Sequence, residues 1–178
     1  MKAIGESGDF RVDSFKSMFQ GGARGYLFYM KPQFPAGLQT ISDREVIYMV
    51  RSTSLPTESI EELLVNWQGY DFKFGGKHTF ADWTVTFNMD KDGKVHQSFH
   101  NWQQKVHNSK SNEYGLPVDY MTTQTVQLLN HLGQPIVEYK LFDAWPGEVA
   151  EVTLDYGSNE VAQFAVTFKY VRHEISYA

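Results

Sequence analysis

Residues 145–170 constrain the fold of this chain more than any other stretch. Two alternating runs flank a polar turn there. In the first, Val152, Leu154 and Tyr156 point one way and Thr153 and Asp155 the other. In the second, Ala162, Phe164, Val166, Phe168 and Tyr170 oppose Gln163, Thr167 and Lys169. A period of two over this length is a strand signal, so the segment is predicted to be a β-hairpin with one apolar face per strand. None of its side chains is a reactive group, so the clearest structural signature of the chain carries no catalysis.

A length of 178 residues fits a single domain over 1–178. Such a domain buries roughly two-thirds of its unfolded surface and needs no staple. There is no cysteine, which removes disulfides, thiolate nucleophiles and cysteine metal sites. The net charge is −5, with no basic run, so a protein that grips nucleic acid by counterion release is not expected. The first residues lack a signal-peptide core, and no run approaches a membrane span.

Along the chain, Val12, Phe15 and Phe19 share one face of a short predicted helix over 12–20, closed by Gly21-Gly22. A strand is expected at 25–31, a loop at 32–44, and a central strand at 45–51, apolar on both faces. Residues 58–75 read as a hairpin turning near Trp67-Gln68-Gly69, although the start at Glu58 could also pass for a helix. Residues 80–89 alternate, with Trp83, Val85, Phe87 and Met89 on one side. One convincing helix covers about 94–108, with Val95, Phe99, Trp102 and Val106 in a stripe and Asp92 as its N-cap. A polar loop over 109–117 leads to a third hairpin joining 119–129 to 136–143. About nine strands and one solid helix predict a mainly β chain, a sandwich or barrel with a helix packed on it.

Candidate chemistry is thin. His96, His100 and His107 lie on one flank of the helix at i, i+4 and i+11, and i, i+4 is a metal-ligand spacing. The third ring is too far along the axis to join the first two, so a solvated or contact face is preferred to a metal site. His78 and Asp82 lack an activated nucleophile. The carboxylate pairs Glu61-Glu62, Glu148-Glu151 and Asp90-Asp92 are adjacent in sequence, which does not make them adjacent in space. Gly75-Gly76-Lys77 lacks the upstream glycine of a phosphate loop and reads as a strand-ending turn. No catalytic residue, metal ligand or cofactor is assigned. Trp67, at a hairpin tip, is the residue that asks for a partner surface; the alternative is a tip folded back on its own domain.

Several stretches in order resemble the tail tube proteins of contractile-tailed, T-even-like bacteriophages. The first is Thr79-Phe80-Ala81-Asp82-Trp83-Thr84-Val85-Thr86. The second is Trp145-Pro146 with Val149, Glu151, Leu154-Asp155, Ser158-Asn159-Glu160, Phe164 and Val166-Thr167. Ser54-Leu55-Pro56 is a third, weaker match, and the helix carries a Phe99-x-x-Trp102 pair. The similarity runs over roughly 45–172; residues 1–44 match poorly and look like an N-terminal extension.

The resemblance implies a β-sandwich-like subunit that forms hexameric rings stacked into a hollow tube within a contractile sheath. Its place would be the virion tail, assembled in the bacterial cytoplasm. Implied partners are further copies of the chain, the sheath protein, and baseplate and terminator proteins, with tape measure protein and DNA passing through without tight binding. On that basis Trp67, Tyr70 and Phe72 of the long hairpin are expected at subunit contacts, and Glu58, Glu62, Asp71 and Glu138 are lumen candidates because they lie on predicted strands opposite apolar neighbours. A baseplate tube initiator or a type VI secretion-like tube would share the fold. A monomeric ligand-binding β-barrel is a remote alternative, and an enzyme is the weakest. The acidic balance fits a bore that does not hold phosphate.

Overall fold

A computed structural model describes residues 12–19 and 21–178. Gln20 and the first eleven residues of the predicted extension lie outside the described residues. Within the described residues, nine strands and four helices succeed one another in the order α1 Val12–Phe19, β1 Phe28–Lys31, α2 Asp43–Met49, β2 Val50–Thr53, β3 Glu58–Trp67, β4 Tyr70–Phe80, β5 Trp83–Asn88, α3 Lys94–Val106, α4 Pro117–Tyr120, β6 Thr122–Leu129, β7 Pro135–Val149, β8 Gln163–Lys169 and β9 Arg172–Tyr177. Among the described residues, no helix is long and apolar enough to cross a membrane.

Seven strands hydrogen-bond in the order β1-β6-β7-β8-β5-β2, with β9 also beside β7, and all these pairs are antiparallel. The long strand β7 is the corner. Its first part, from Pro135 to Phe142, lies between β6 and β9, and its last part, from Trp145 to Val149, pairs with β8. Between them the ladder to β6 slips by a residue, and Asp143 takes a left-handed φ of 57°. A bulge of this kind bends a strand and re-aims its far end. Sheet A is thus β1-β6-β7-β9, and sheet B is the end of β7 with β8, β5 and β2. The chain is mainly β and sandwich-like, as its alternating patterns predict.

The core lies where α3 covers the apolar face of sheet B. Trp83, Val85 and Phe87 of β5 and Phe164, Val166 and Phe168 of β8 are buried, as are Val95, Phe99 and Trp102 of α3. The rings meet in tilted and edge-on pairs. Phe99 sits 4.8 Å from Phe87, and Trp102 sits 6.0 Å from Phe168. Such pairs add specificity to burial worth about 1.5–3 kcal/mol for each fully buried large side chain. The two buried indoles are also satisfied: Trp83 donates to Ser54 O at 2.8 Å and Trp102 to Tyr120 O at 2.7 Å. The first of these joins two of the motif segments, that of Trp83 and that of Ser54, and Pro56 is buried just beyond. Gln124, wholly buried on β6, accepts from Gln33 N and donates to Gln33 O, fixing the 32–42 loop to sheet A.

Four expectations need correction. Residues 45–51 are not a central strand. They form most of α2, and only then β2, which lies at an edge of sheet B. Ser42 and Glu45 build a capping box, with Ser42 Oγ accepting from Glu45 N and Glu45 accepting from Ser42 N. That reciprocal pair nucleates a helix ahead of the apolar run.

The N-cap of α3 is not Asp92. The carboxylate of Asp90 accepts from Lys94 N and Val95 N, both at 2.9 Å, and Gly93 makes the left-handed entry with φ 67°. Asp92 pairs instead with Lys94 Nζ at 3.3 Å.

Residues 152–156 form no strand. β8 pairs with the end of β7, and 150–161 make an exposed loop carrying Leu154 and Tyr156 outward. A ninth strand, β9, takes the vacant place in the count. Its alternation is hidden because a histidine, His173, is its buried residue.

Gly75-Gly76-Lys77 lies inside β4 and does not end it. There Gly76 and Lys77 oppose the single residue Glu61, and a Cβ on Gly76 would come within 2.9 Å of Glu61 O. A bulge that brings two backbones this close selects glycine.

Candidate assembly surface: a projecting arm and two open sheet edges

Among the described residues, strands β3 and β4 pair only with each other, as a separate two-stranded sheet. The turn is two residues, Gln68 with φ 50° and Gly69 with φ 84°. Positive φ at both positions is the primed hairpin turn whose twist suits antiparallel strands. The helical reading of the Glu58 segment is therefore excluded, and so is a tip folded back on its own domain. Every residue from Glu58 to His78 is exposed, with Trp67 at 64%.

Register sorts this arm into two faces. Leu63 opposes Phe74, Val65 opposes Phe72 and Trp67 opposes Tyr70. Directly opposed residues share a side of the ladder, so these six make one unbroken apolar face. The other face holds the ion pair of Glu62 with Lys73 at 2.9 Å and the hydrogen bond from Asn66 to Asp71. Three predicted contact residues, Trp67, Tyr70 and Phe72, thus fall on the apolar face, and two predicted lumen acids, Glu62 and Asp71, on the polar one. An isolated hairpin exposing an apolar face this large is a candidate interaction surface.

Sheet A offers the second surface. Among the described residues, both β1 and β9 pair on one side only, which leaves sheet A with two open edges. Its packed face carries Met30, Val126, Leu141 and His173. Its opposite face carries Lys31, Thr125, Gln127, Glu138, Lys140 and Glu174 in one registered patch. Charges on that face cancel locally. Glu138 lies 3.1 Å from Lys140 and accepts from Gln127, while Arg172 pairs with Glu174 and stacks 4.0 Å over Phe142. The Gln127 hydrogen bond, with a smaller contribution from Lys140, holds the Glu138 carboxyl below the usual glutamate range. Glu58 sits elsewhere, at the arm root, 3.3 Å from His78 and 3.2 Å from the buried His173 on the packed side of sheet A.

His96, His107, His78 and Asp82 are each held in separate contacts. His96 sets its edge against Phe164, His107 caps the end of α3 and stacks on Tyr114, and His78 pairs with Glu58. Asp82 is engaged by Lys169 across sheet B, not by His78. Among the described residues, no group of three or more His, Asp or Glu is arranged to hold a metal ion. An open hollow beside the start of α3 is bordered by Glu45, Asp90, Asp92 and Lys94, but its carboxylates are engaged in the two helix caps and the Asp92–Lys94 pair.

The family model for phage tail tube proteins matches residues 18–176. The chain belongs to the phage tail tube protein family. Among curated relatives of this tail tube protein is the tail tube protein gp19 of Enterobacteria phage T4. It is 28% identical over 162 residues, covering 88% of this chain and 94% of the relative. The tail tube protein of Serratia phage KSP90 is 26% identical, covering 89% and 93%. In fold, the tail tube chain resembles a chain in the cryo-EM structure of the sheath/tube terminator of an extracellular contractile injection system. The TM-score is 0.64, the identity 16%, and the match covers 86% of this chain and 95% of that one. Of the motif residues quoted for the resemblance, Trp83, Phe99, Trp102, Pro146 and Phe164 are buried. Phe80 and Trp145 are half-buried, and Asp82 and Leu154 are exposed.

Proposed function

We propose that this structural tail tube subunit closes into six-membered rings that stack head to tail as a hollow conduit for DNA during contractile ejection. The observation that carries the reading is the arm: six large apolar side chains on one face, left exposed by the rest of the described residues. Burying them against a neighbouring copy would contribute on the order of 10 kcal/mol before ordering costs. Trp67, Tyr70 and Phe72 are the proposed anchors, since aromatic residues at a projecting tip dominate interface energetics.

The open edges of β1 and β9 support ring closure. Unpaired strand edges are aggregation hazards in a solitary domain, and pairing the β1 edge of one copy with the β9 edge of the next removes both around a closed ring. Residues of sheet A that point away from its packed face would then line the bore. Glu138 is the lining acid that this arrangement favours, neutralised by Lys140, and a bore of paired charges offers DNA no row of cations to release counterions against. Glu62 and Asp71 are proposed to face a lumen only where the arm of a neighbouring copy borders it; Glu58 is proposed to act at the arm root. The reading assigns the chain no bond-making step and no cofactor. Sheath, baseplate, terminator and tape measure proteins are its proposed partners in the virion tail.

Electron microscopy of the purified chain tests this. Hollow six-fold rings or tubes are expected, and their loss in a Trp67→Ser, Phe72→Ser variant that still folds. A chain that remains monomeric at high concentration, even with tube ends supplied as seeds, would overturn the reading.

A further inference from the structure

Among the described residues, His173 is the one titratable side chain sealed within the body, and the arm root is its lid. Its side chain has no solvent exposure. Phe80, the last residue of β4, lies edge-on at 5.0 Å, with Tyr139 at 5.4 Å and Tyr170 at 5.9 Å. Glu58, the first residue of β3, brings Oε2 to 3.2 Å from His173 Nε2, but without the alignment of a hydrogen bond. The same oxygen lies 3.3 Å from His78 Nε2 on β4. One carboxylate oxygen therefore faces two imidazoles, one fixed in the body and one on the arm, where the arm joins the sandwich.

We propose that His173, Glu58 and His78 form a proton-sensitive latch that positions the arm, so that subunit assembly is coupled to pH. The inference rests on the reading of the arm as an assembly element. The groups facing His173 are Glu58 from β3, His78 from β4, Tyr139 from β7 and Tyr170 from the turn after β8. Asp82 stands behind Tyr170 and is engaged by Lys169. Arg172 and Glu174, its neighbours in β9, alternate to the opposite face and pair with each other.

Burial, Asp82 and Glu58 push the Tyr170 phenol up to about 12, so it stays protonated. Its hydroxyl lies 3.4 Å from His173 Nδ1 and can donate there, which leaves the ring proton on Nε2, toward Glu58. With His173 neutral in this way, the root is docked.

Acid changes the balance. A proton on His173 would be a charge sealed in the body, with the Glu58 carboxylate on one side and the His78 ring on the other. Burial holds the His173 pKa below its ordinary value, with Glu58 opposing and His78 adding to the shift. The docked state therefore binds this proton more weakly than a state with the root lifted. Docking is at full strength above the ordinary histidine range and weakens as pH falls through about 6.5 toward the lowered value.

The test uses the full chain, with its critical concentration for assembly measured by sedimentation between about pH 7.5 and about pH 5.5, spanning the histidine range. A several-fold rise on acidification is expected, in the direction set by the lowered His173 pKa. His173→Phe, which keeps an aromatic ring against Phe80 and Tyr139, should flatten the profile. His78→Gln should shift it without abolishing it. A pH step that survives undiminished in His173→Phe would overturn the latch.

Amide hydrogen exchange on the wild-type monomer, below the critical concentration, guards against a variant that does not fold. Exchange, corrected for its intrinsic pH dependence, should speed up on acidification at residues 58–60 and 78–80, while 64–73 stays unchanged. An unaltered root would also overturn the latch. A chain that never assembles at any pH would defeat the ring reading alone, because the exchange measurement decides the latch independently.

Discussion

The body and the arm are written in the same alphabet and meet opposite fates. In β5 and β8, alternate residues Trp83, Val85, Phe87, Phe164, Val166 and Phe168 turn inward and disappear under α3. In β3 and β4, alternate residues Leu63, Val65, Trp67, Tyr70, Phe72 and Phe74 are equally apolar and equally regular, yet all are exposed. Alternation fixes which residues share a side; it does not say what covers that side. Where the chain supplies a helix of its own, the result is a core. Where the described residues supply none, the face stays exposed, and it is there that the proposed contact between copies would form. Stability should therefore reside in the body and association in the arm.

The largest expected effect comes from emptying the body. Trp102→Ala removes the ring between Phe34, Phe99 and Phe168 and orphans the carbonyl of Tyr120. It should cost about 3–5 kcal/mol in denaturant unfolding. A cost near zero would break the contrast from the body side.

Next, Trp67→Ser should leave the unfolding midpoint within about 0.5 kcal/mol of the wild type. It should weaken assembly by about 2 kcal/mol or more, read as a rise in critical concentration of roughly thirtyfold. Equal losses in folding and assembly would show that the arm is part of the monomer's core.

Smaller effects refine the picture. Asp90→Ala should cost about 1 kcal/mol by uncapping α3, whereas Asp92→Ala should be nearly silent. Burial would raise the Asp90 pKa, but the Val95 and Lys94 amides outweigh it, and the net shift is downward. Its contribution is therefore present above the ordinary aspartate value and is lost as pH falls below about 3.8 toward the lowered one. The Asp90→Asn variant should lack that part of the acid loss. Smallest of all, Glu138→Gln should change unfolding by under about 1 kcal/mol, because the pair with Lys140 remains open to solvent screening. Its weak acid dependence would begin below about pH 4.3, with the same sign.

Legibility divides along the same line. Strand β5 and helix α3 are readable because their period coincides with their burial. The arm's strands and its Gln68-Gly69 turn are readable too, because a hairpin is specified locally. Helix α2 escapes a periodicity reading although its signal, Ser42 with Glu45 three residues on, stands in the sequence; the apolar run behind it resembles a strand. The 152–156 run alternates without a partner strand, and pairing is a tertiary fact. Strand β9 escapes because His173 occupies a core position that periodicity credits only to apolar residues. The arm-root cluster is beyond reach for another reason. Glu58 and His173 are more than a hundred residues apart, and no spacing rule joins them.

The length of the arm has a consequence of its own. A strand of ten residues extends about 33 Å, comparable to the width of a small domain. In the proposed filament, a limb that long would grip copies beyond the one alongside, so that each protomer is clasped by several others. Such a wall would behave as woven cloth rather than as laid brick: sideways load spreads over many threads, and a single defective protomer leaves a flaw without starting a tear.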